Sequence, residues 1–106
     1  MDLRFVYMTA GSREEARRIG RTLVEERLAA CVNILPGMNA IYRWQGAVQD
    51  EQETVLIAKT RAALVERLSE RVRALHSASV PCVVALAIEG GNPAFLQWIV
   101  DETEGA

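Results

Sequence analysis

Apolar and polar positions alternate with a two-residue period along two adjacent stretches in the middle of the chain, Ala29–Trp44 and Ala47–Thr60. On either side the period lengthens to the three to four residues of a helix. The alternating stretches predict two long strands that reverse at Gln45-Gly46, with a bulge or bend at Pro36-Gly37. At about 3.3 Å per residue the first arm reaches roughly 50 Å. A domain of this length, with a radius of gyration of about 13 Å, is only on the order of 35 Å across. One end of the hairpin is therefore expected to overhang. There Met38, Ala40, Tyr42 and Trp44 share one face, and Asn39, Ile41 and Arg43 the other. A projecting hairpin with an aromatic strip and free edges is marginal alone in water. Other copies of the chain are expected to cover it, with Ile41, Tyr42 and Trp44 at the contact. The competing expectation is a sharp bend at Pro36 that covers the aromatics within one chain.

The flanking segments complete the pattern. Arg4–Ala10 is rich in strand formers and stops at Gly11. Ser12 with Glu15 forms a capping box that opens a helix from Arg13 to Leu28. Its expected buried stripe is Ala16, Ile19, Leu23 and Val24. Arg13, Arg17, Arg18 and Arg21 lie toward water among Glu14, Glu25 and Glu26, a mixture that favours a solvated face over an anion site. In the second arm Gln49–Glu53 is polar on both faces, whereas Val55–Ala58 is apolar on both and belongs in the centre of a sheet. Asp50, Glu51 and Glu53 read as a solvated strand end, because alternation sends neighbours to opposite faces and no calcium-loop spacing is present. Thr60 is the expected cap of a second helix from Arg61 to about His76, with Leu64, Val65, Leu68, Val72 and Leu75 buried. Pro81 ends helical continuation. Val83–Ile88 has the continuous apolar character of a buried strand, and Asn92-Pro93 caps a short last helix carrying Phe95, Leu96, Trp98 and Ile99. The order β-α-β-β-α-β plus a C-terminal helix predicts an α+β, ferredoxin-like fold: an antiparallel sheet with helices on one face.

Composition narrows the function. The 106 residues are expected to form a single domain, with 50% hydrophobic and 25% charged residues as in ordinary globular chains. A formal charge of −2 lacks the basic footprint of nucleic-acid binding. The start MDLRFVYM is not of secretory type and no apolar run approaches the ~20 residues of a membrane span, so a cytoplasmic protein with no membrane partner is expected. Cys31 and Cys82 sit among apolar neighbours and are expected to be buried, inert thiols. No Ser-His-Asp arrangement, glycine-rich phosphate loop or paired-histidine motif is present, and a non-enzyme is expected.

The segment LAACVNILPGMNAIYRWQG, followed by ETVLIAKT, a histidine near the end of the second helix, VP, and GNPAFLQW, closely resembles the CutA family of divalent-cation tolerance proteins, in register from about Val6 to Trp98. The resemblance implies the ferredoxin-like fold, compact homotrimers built through the long strands in a manner similar to PII-type signalling proteins, and a link to tolerance of copper and other divalent metals. Some members bind copper through a cysteine that falls here on Met8 and a histidine pair that falls on Leu75 and His76. Only His76 is kept. The stretch His76-Ser77-Ala78-Ser79-Val80-Pro81-Cys82 also lacks the family's glutamate after the second proline, and Phe95 stands for its usual tyrosine. His76 is thus the leading metal candidate, with Met8 and Cys82 weaker ones, since one imidazole and distant sulfurs make a poor copper set unless subunits pool ligands. The plain alternative makes His76 a helix-end residue favoured by the C-terminal dipole. The resemblance implies no required cofactor, with copper or another divalent metal as ligand. By analogy with PII, a small-ligand or partner-sensing module at inter-subunit clefts is the second reading, with Lys59, Arg43 and Tyr42 as contacts.

Overall fold

A computed structural model of the chain describes residues 1–106. Four antiparallel strands run in the order β2-β3-β1-β4, formed by β1 (Leu3–Ala10), β2 (Cys31–Trp44), β3 (Ala47–Arg61) and β4 (Val83–Ile88). The helices are α1 (Arg13–Glu25), α2 (Val65–Leu75) and α3 (Pro93–Thr103). The expected ferredoxin-like arrangement is present.

The two faces of the sheet differ. Val6, Met8, Ala10, Leu56 and Ala58 point to one face and form the main core with Ala16, Ile19 and Leu23 of α1 and Leu68 and Val72 of α2. Gly20 allows α1 to approach closely, because a Cβ there would lie 3.2 Å from Val32 Cγ1. On the opposite face α3 covers only one end, packing Ile99 against Leu3 and Ala30. The two helices of the βαββαβ unit share one face as expected; the added α3 lies on the other, where Ile99 packs and Arg61 ties its last turn through Thr103. The Arg61 guanidinium donates to Thr103 Oγ1 at 2.9 Å and to the Thr103 carbonyl at 2.8 Å.

Three boundaries shift from the expected ones. Helix α1 stops at Glu25 rather than Leu28, since Arg27 takes φ 60° and the Leu28 amide bonds back to the Leu23 carbonyl at 2.9 Å. This is the Schellman closure, built here without its usual glycine. Thr60 does not cap α2. It remains in β3, and its hydroxyl donates to the Leu28 carbonyl at 2.7 Å; a 3-10 turn, Ala62–Leu64, precedes α2, which begins at Val65. Val24 is exposed rather than buried, because α1 turns the Ala16-Ile19-Gly20-Leu23 side to the sheet.

The hairpin overhangs as expected. β1 pairs with β3 only from Arg61 back to Thr54, whereas β2 pairs with β3 onward to Trp44–Ala47. Met38–Trp44 and Ala47–Glu53 therefore project as a two-stranded ribbon, and the chain measures 44 × 25 × 21 Å. The turn residues Gln45 and Gly46 have φ 49° and 81°, the doubly positive geometry that matches strand twist in a two-residue hairpin. At Pro36-Gly37 a register shift between Leu35 and Met38 leaves one extra residue in β2, with Gly37 at φ 80°.

Candidate functional site

The groove between the ribbon and the segment after α2 is the principal concavity, with a volume of about 750 Å³. It forms because β1 ends at Ala10, leaving the β3 edge beyond Thr54 without a strand neighbour. Ser77–Cys82 runs along the far wall, while Met38, Ala40, Tyr42, Trp44, Glu51 and Glu53 supply the near one.

The far wall is fixed by a buried polar node. Ser12 Oγ accepts from the Glu15 amide at 3.1 Å, as the capping box predicts. The Glu15 carboxylate then does more than a cap: Oε1 accepts from Gly11 N–H at 3.1 Å and Oε2 from Ser77 N–H at 2.7 Å. Burial pushes the Glu15 pKa up, but hydrogen bonds from the Ser77 side chain and from the Ser77 and Gly11 amides outweigh it and leave the carboxyl below its usual range. His76 is the C-cap of α2 and its side chain is 6% exposed. Its Nδ1 accepts from Ala78 N–H at 3.0 Å, so its Nε2 carries the proton and donates to the Thr9 carbonyl at 2.7 Å. A neutral ring in these bonds is held by geometry rather than by the helix dipole, which rewards charge.

The sequence candidates separate into distinct places. Tyr42, Trp44, His76, Cys82 and Ile41 all border the groove, whereas Met8 is buried in the main core. Tyr42 Oη donates to Glu51 Oε1 at 3.3 Å, and partial burial together with the charges of Glu51 and Glu53 raises its pKa. Burial raises the Cys82 thiol pKa, and Glu53 adds to the effect against a hydrogen bond with Thr9. Lys59 and Arg43 do not reach the groove. Lys59 Nζ donates to Asn33 Oδ1 on the open sheet face, and Arg43 lies on the ribbon face opposite Tyr42 and Trp44. The Arg17, Arg18 and Arg21 side of α1 borders a shallow depression of about 370 Å³ floored by Val32 and Ile34, where Arg21 pairs with Glu25 at 3.2 Å.

A copper centre would need several of these side chains to converge. Both His76 nitrogens are engaged, Met8 has no open side, and nowhere do three His, Cys, Asp or Glu side chains converge to hold an ion. Within this chain the residues do not fit such a centre. Glu15 is the residue the sequence undervalued: its capping role was legible, but its second bond, to Ser77, spans an interval that no local motif reports.

The solvent-facing apolar residues are the other feature of note. Val84 and Leu86 are 52% and 53% exposed on β4, which is an edge strand and not the buried strand its composition suggested. They share the open sheet face with Tyr7, Ile57 and Leu35, beyond the end that α3 covers.

The sequence matches the family described as CutA1 divalent ion tolerance protein over residues 4–102. The chain is 52% identical to the divalent-cation tolerance protein CutA of Thermus thermophilus over 92% of its own length and 95% of that protein's. It is 46% identical to the chloroplastic CutA of Arabidopsis thaliana, again over 92% of its own length, but spans only 54% of that longer protein. The structure of CutA1 from Oryza sativa superposes with a TM-score of 0.96 at 42% identity, covering 100% of this chain and 97% of that one. This chain therefore belongs to the CutA1 divalent ion tolerance family.

Proposed function

We propose that the protein is a non-catalytic, cytoplasmic homotrimer that contributes to divalent metal tolerance, binding copper or another divalent ion with ligands pooled between copies. The observation that carries the assembly is the pair of uncovered surfaces, the ribbon and the open sheet face. Leu35, Val84 and Leu86 on the open sheet face, and Ile41 and Trp44 on opposite faces of the ribbon, are all large apolar side chains left exposed in the lone chain. In this reading copper is held by ligands pooled across a symmetric interface, where Cys82 recurs once per copy. No helix is long and apolar enough to cross a membrane.

Light scattering at micromolar concentration, followed by copper(I) and copper(II) titration of the assembled species, tests this reading. A trimer whose copper(I) stoichiometry falls in Cys82→Ser and persists in Met8→Ala supports it. A monomer, or copper uptake indifferent to Cys82→Ser, His76→Ala and Met8→Ala alike, removes it. The second reading, a small-ligand sensor acting at clefts between copies, is favoured by the groove itself. A nucleotide-like anion is a poor fit, since no lysine or arginine lines that groove.

A further inference from the structure

We propose that the arginine-lined depression between α1 and β2 binds a phosphate monoester carried on a small apolar body. Arg17, Gly20, Arg21 and Val24 recur at helical spacing and so form a single stripe down one side of α1. Gly20 is the notch in that stripe: with no Cβ it lets the helix settle against Val32, whose Cγ1 would lie 3.2 Å from an added Cβ. Val32 and Ile34 are left as an apolar floor beside Val24, and Arg17, Arg18 and Arg21 supply the polar part of the lining. The volume of about 370 Å³ suits a small ligand, at the lower end of the usual ~300–1,000 Å³.

No carboxylate lines the depression, although glutamates are interspersed with the arginines of α1 in the sequence. The fold has sorted them. Glu15 turns its oxygens to the Gly11 and Ser77 amides, which leaves it a loose partner of Arg18 at 4.0 Å. Arg21 pairs with Glu25 at 3.2 Å, an exposed contact of small worth that a ligand can displace. Arg17 has no ion-pair partner in the chain. The local excess of positive charge therefore suits a dianion better than a monoanion. A phosphate monoester carries about −1.5 to −2 charges and three strong acceptor oxygens. More than one planar guanidinium fork can donate to it at once. The apolar floor then selects a substituted phosphate over the free ion. This place also stands apart from the surfaces that sister copies are proposed to cover. Val32 and Ile34 pack toward the main core on the helix side of the sheet, whereas Leu35, Val84 and Leu86 occupy the other side and Tyr42 and Trp44 the ribbon.

The test is an amide NMR titration of the assembled full chain at low ionic strength, where screening is least. The probes are phenyl phosphate, inorganic phosphate, phenylacetate and 2-phenylethanol. Saturable shifts centred on Gly20, Arg21, Val32 and Ile34 are expected with phenyl phosphate, at least tenfold tighter than with 2-phenylethanol and about threefold tighter than with the other two. Arg17→Gln is expected to weaken phenyl phosphate about fivefold. Arg13→Gln removes the same charge from α1 outside the depression and is expected to change the affinity less than twofold. An affinity matched by any of the three other probes, equal losses in Arg13→Gln and Arg17→Gln, or no saturable shift overturns the site. So does binding confined to monomeric protein, since copies would then cover the depression. Neither the pooled metal ligands nor the ribbon groove enters into this site, so a trimer that ignores phenyl phosphate removes it and leaves the assembly and its metal reading standing.

Discussion

Glu15 Oε2 lies 4.0 Å from His76 Nδ1, yet neither group is spent on the other: the carboxylate holds the Ser77 amide and the imidazole holds the Ala78 amide. Two side chains from different helices thus fix two successive amides of the segment that walls the groove. Their bonds connect α1, β1 and the end of α2 at one point.

Acid is expected to loosen this point. The unfolded Glu15 carboxyl titrates near 4.5, and the folded one lies below that. The unfolded state therefore takes up a proton first as pH falls. The stability Glu15 contributes is complete above about 4.5 and is lost as pH drops through the folded value. Glu15→Gln is expected to flatten this limb of the stability curve and to cost about 1–3 kcal/mol at neutral pH. Denaturant melts between pH 3 and 7 on both proteins check it.

His76→Ala leaves the Thr9 carbonyl and the Ala78 amide without their partners. Faster amide exchange at Ser77 and Ala78, with α1 and the sheet core unaffected, is the expected result by hydrogen-exchange mass spectrometry or NMR. Exchange unchanged in that segment would show that the ring does not anchor it.

Arg61 fastens the last turn of α3 to the sheet through Thr103. Arg61→Ala is expected to lose about 1–2 kcal/mol and to let α3 fray. Trp98, stacked on Phe95 at a centroid separation of 5.4 Å, provides the fluorescence reporter.

Leu86→Glu places a charge on the open face of β4. If sister copies cover that face, the variant is expected to scatter light as a monomer while keeping native far-UV circular dichroism. A variant that assembles as the parent does would remove this face from the interface.

Cys82 is expected to alkylate more slowly than a free cysteine at pH 8, because burial and Glu53 keep its thiol protonated. Iodoacetamide kinetics followed by mass spectrometry check this. For the same reason any stability Cys82 lends falls as pH rises above its ordinary value of 9.0, since the unfolded thiol releases its proton first.

Strand periods, the Gln45-Gly46 reversal and the Ser12–Glu15 box were readable because each is a local signal that the backbone enforces by itself. The overhang was readable too, from arm length against domain size. Where the reading slipped, a distant partner outweighed the local preference. Thr60 has the composition of a helix cap, but its hydroxyl is taken by Leu28 across the core. Arg27 ends α1 in a conformation that sequence rules reserve for glycine, and its guanidinium then reaches the Glu102 carbonyl at 3.1 Å. Val83–Ile88 looked buried from its unbroken apolar composition, yet it forms the edge strand and leaves Val84 and Leu86 half exposed on the sheet face that α3 does not reach. The groove was hidden for a similar reason: Glu53 and Cys82 both border it, yet nothing in their spacing announces that they share a wall.

The extra residue at Pro36-Gly37 acts as a phase switch for the ribbon. Up to Leu35 the odd-numbered positions of β2 stand over Val55 and Ile57; past the switch the even-numbered ones stand over Glu53 and Glu51. Pairing straight through Pro36-Gly37 with every residue kept and none left over would instead put Asn39, Ile41 and Arg43 on the carboxylate side and send both aromatic rings to the back. A guanidinium would then sit beside Glu51 and Glu53, and the groove would carry its own counter-ion. One residue of slack in a single strand thus sets whether this surface is left hungry for positive charge or already fed.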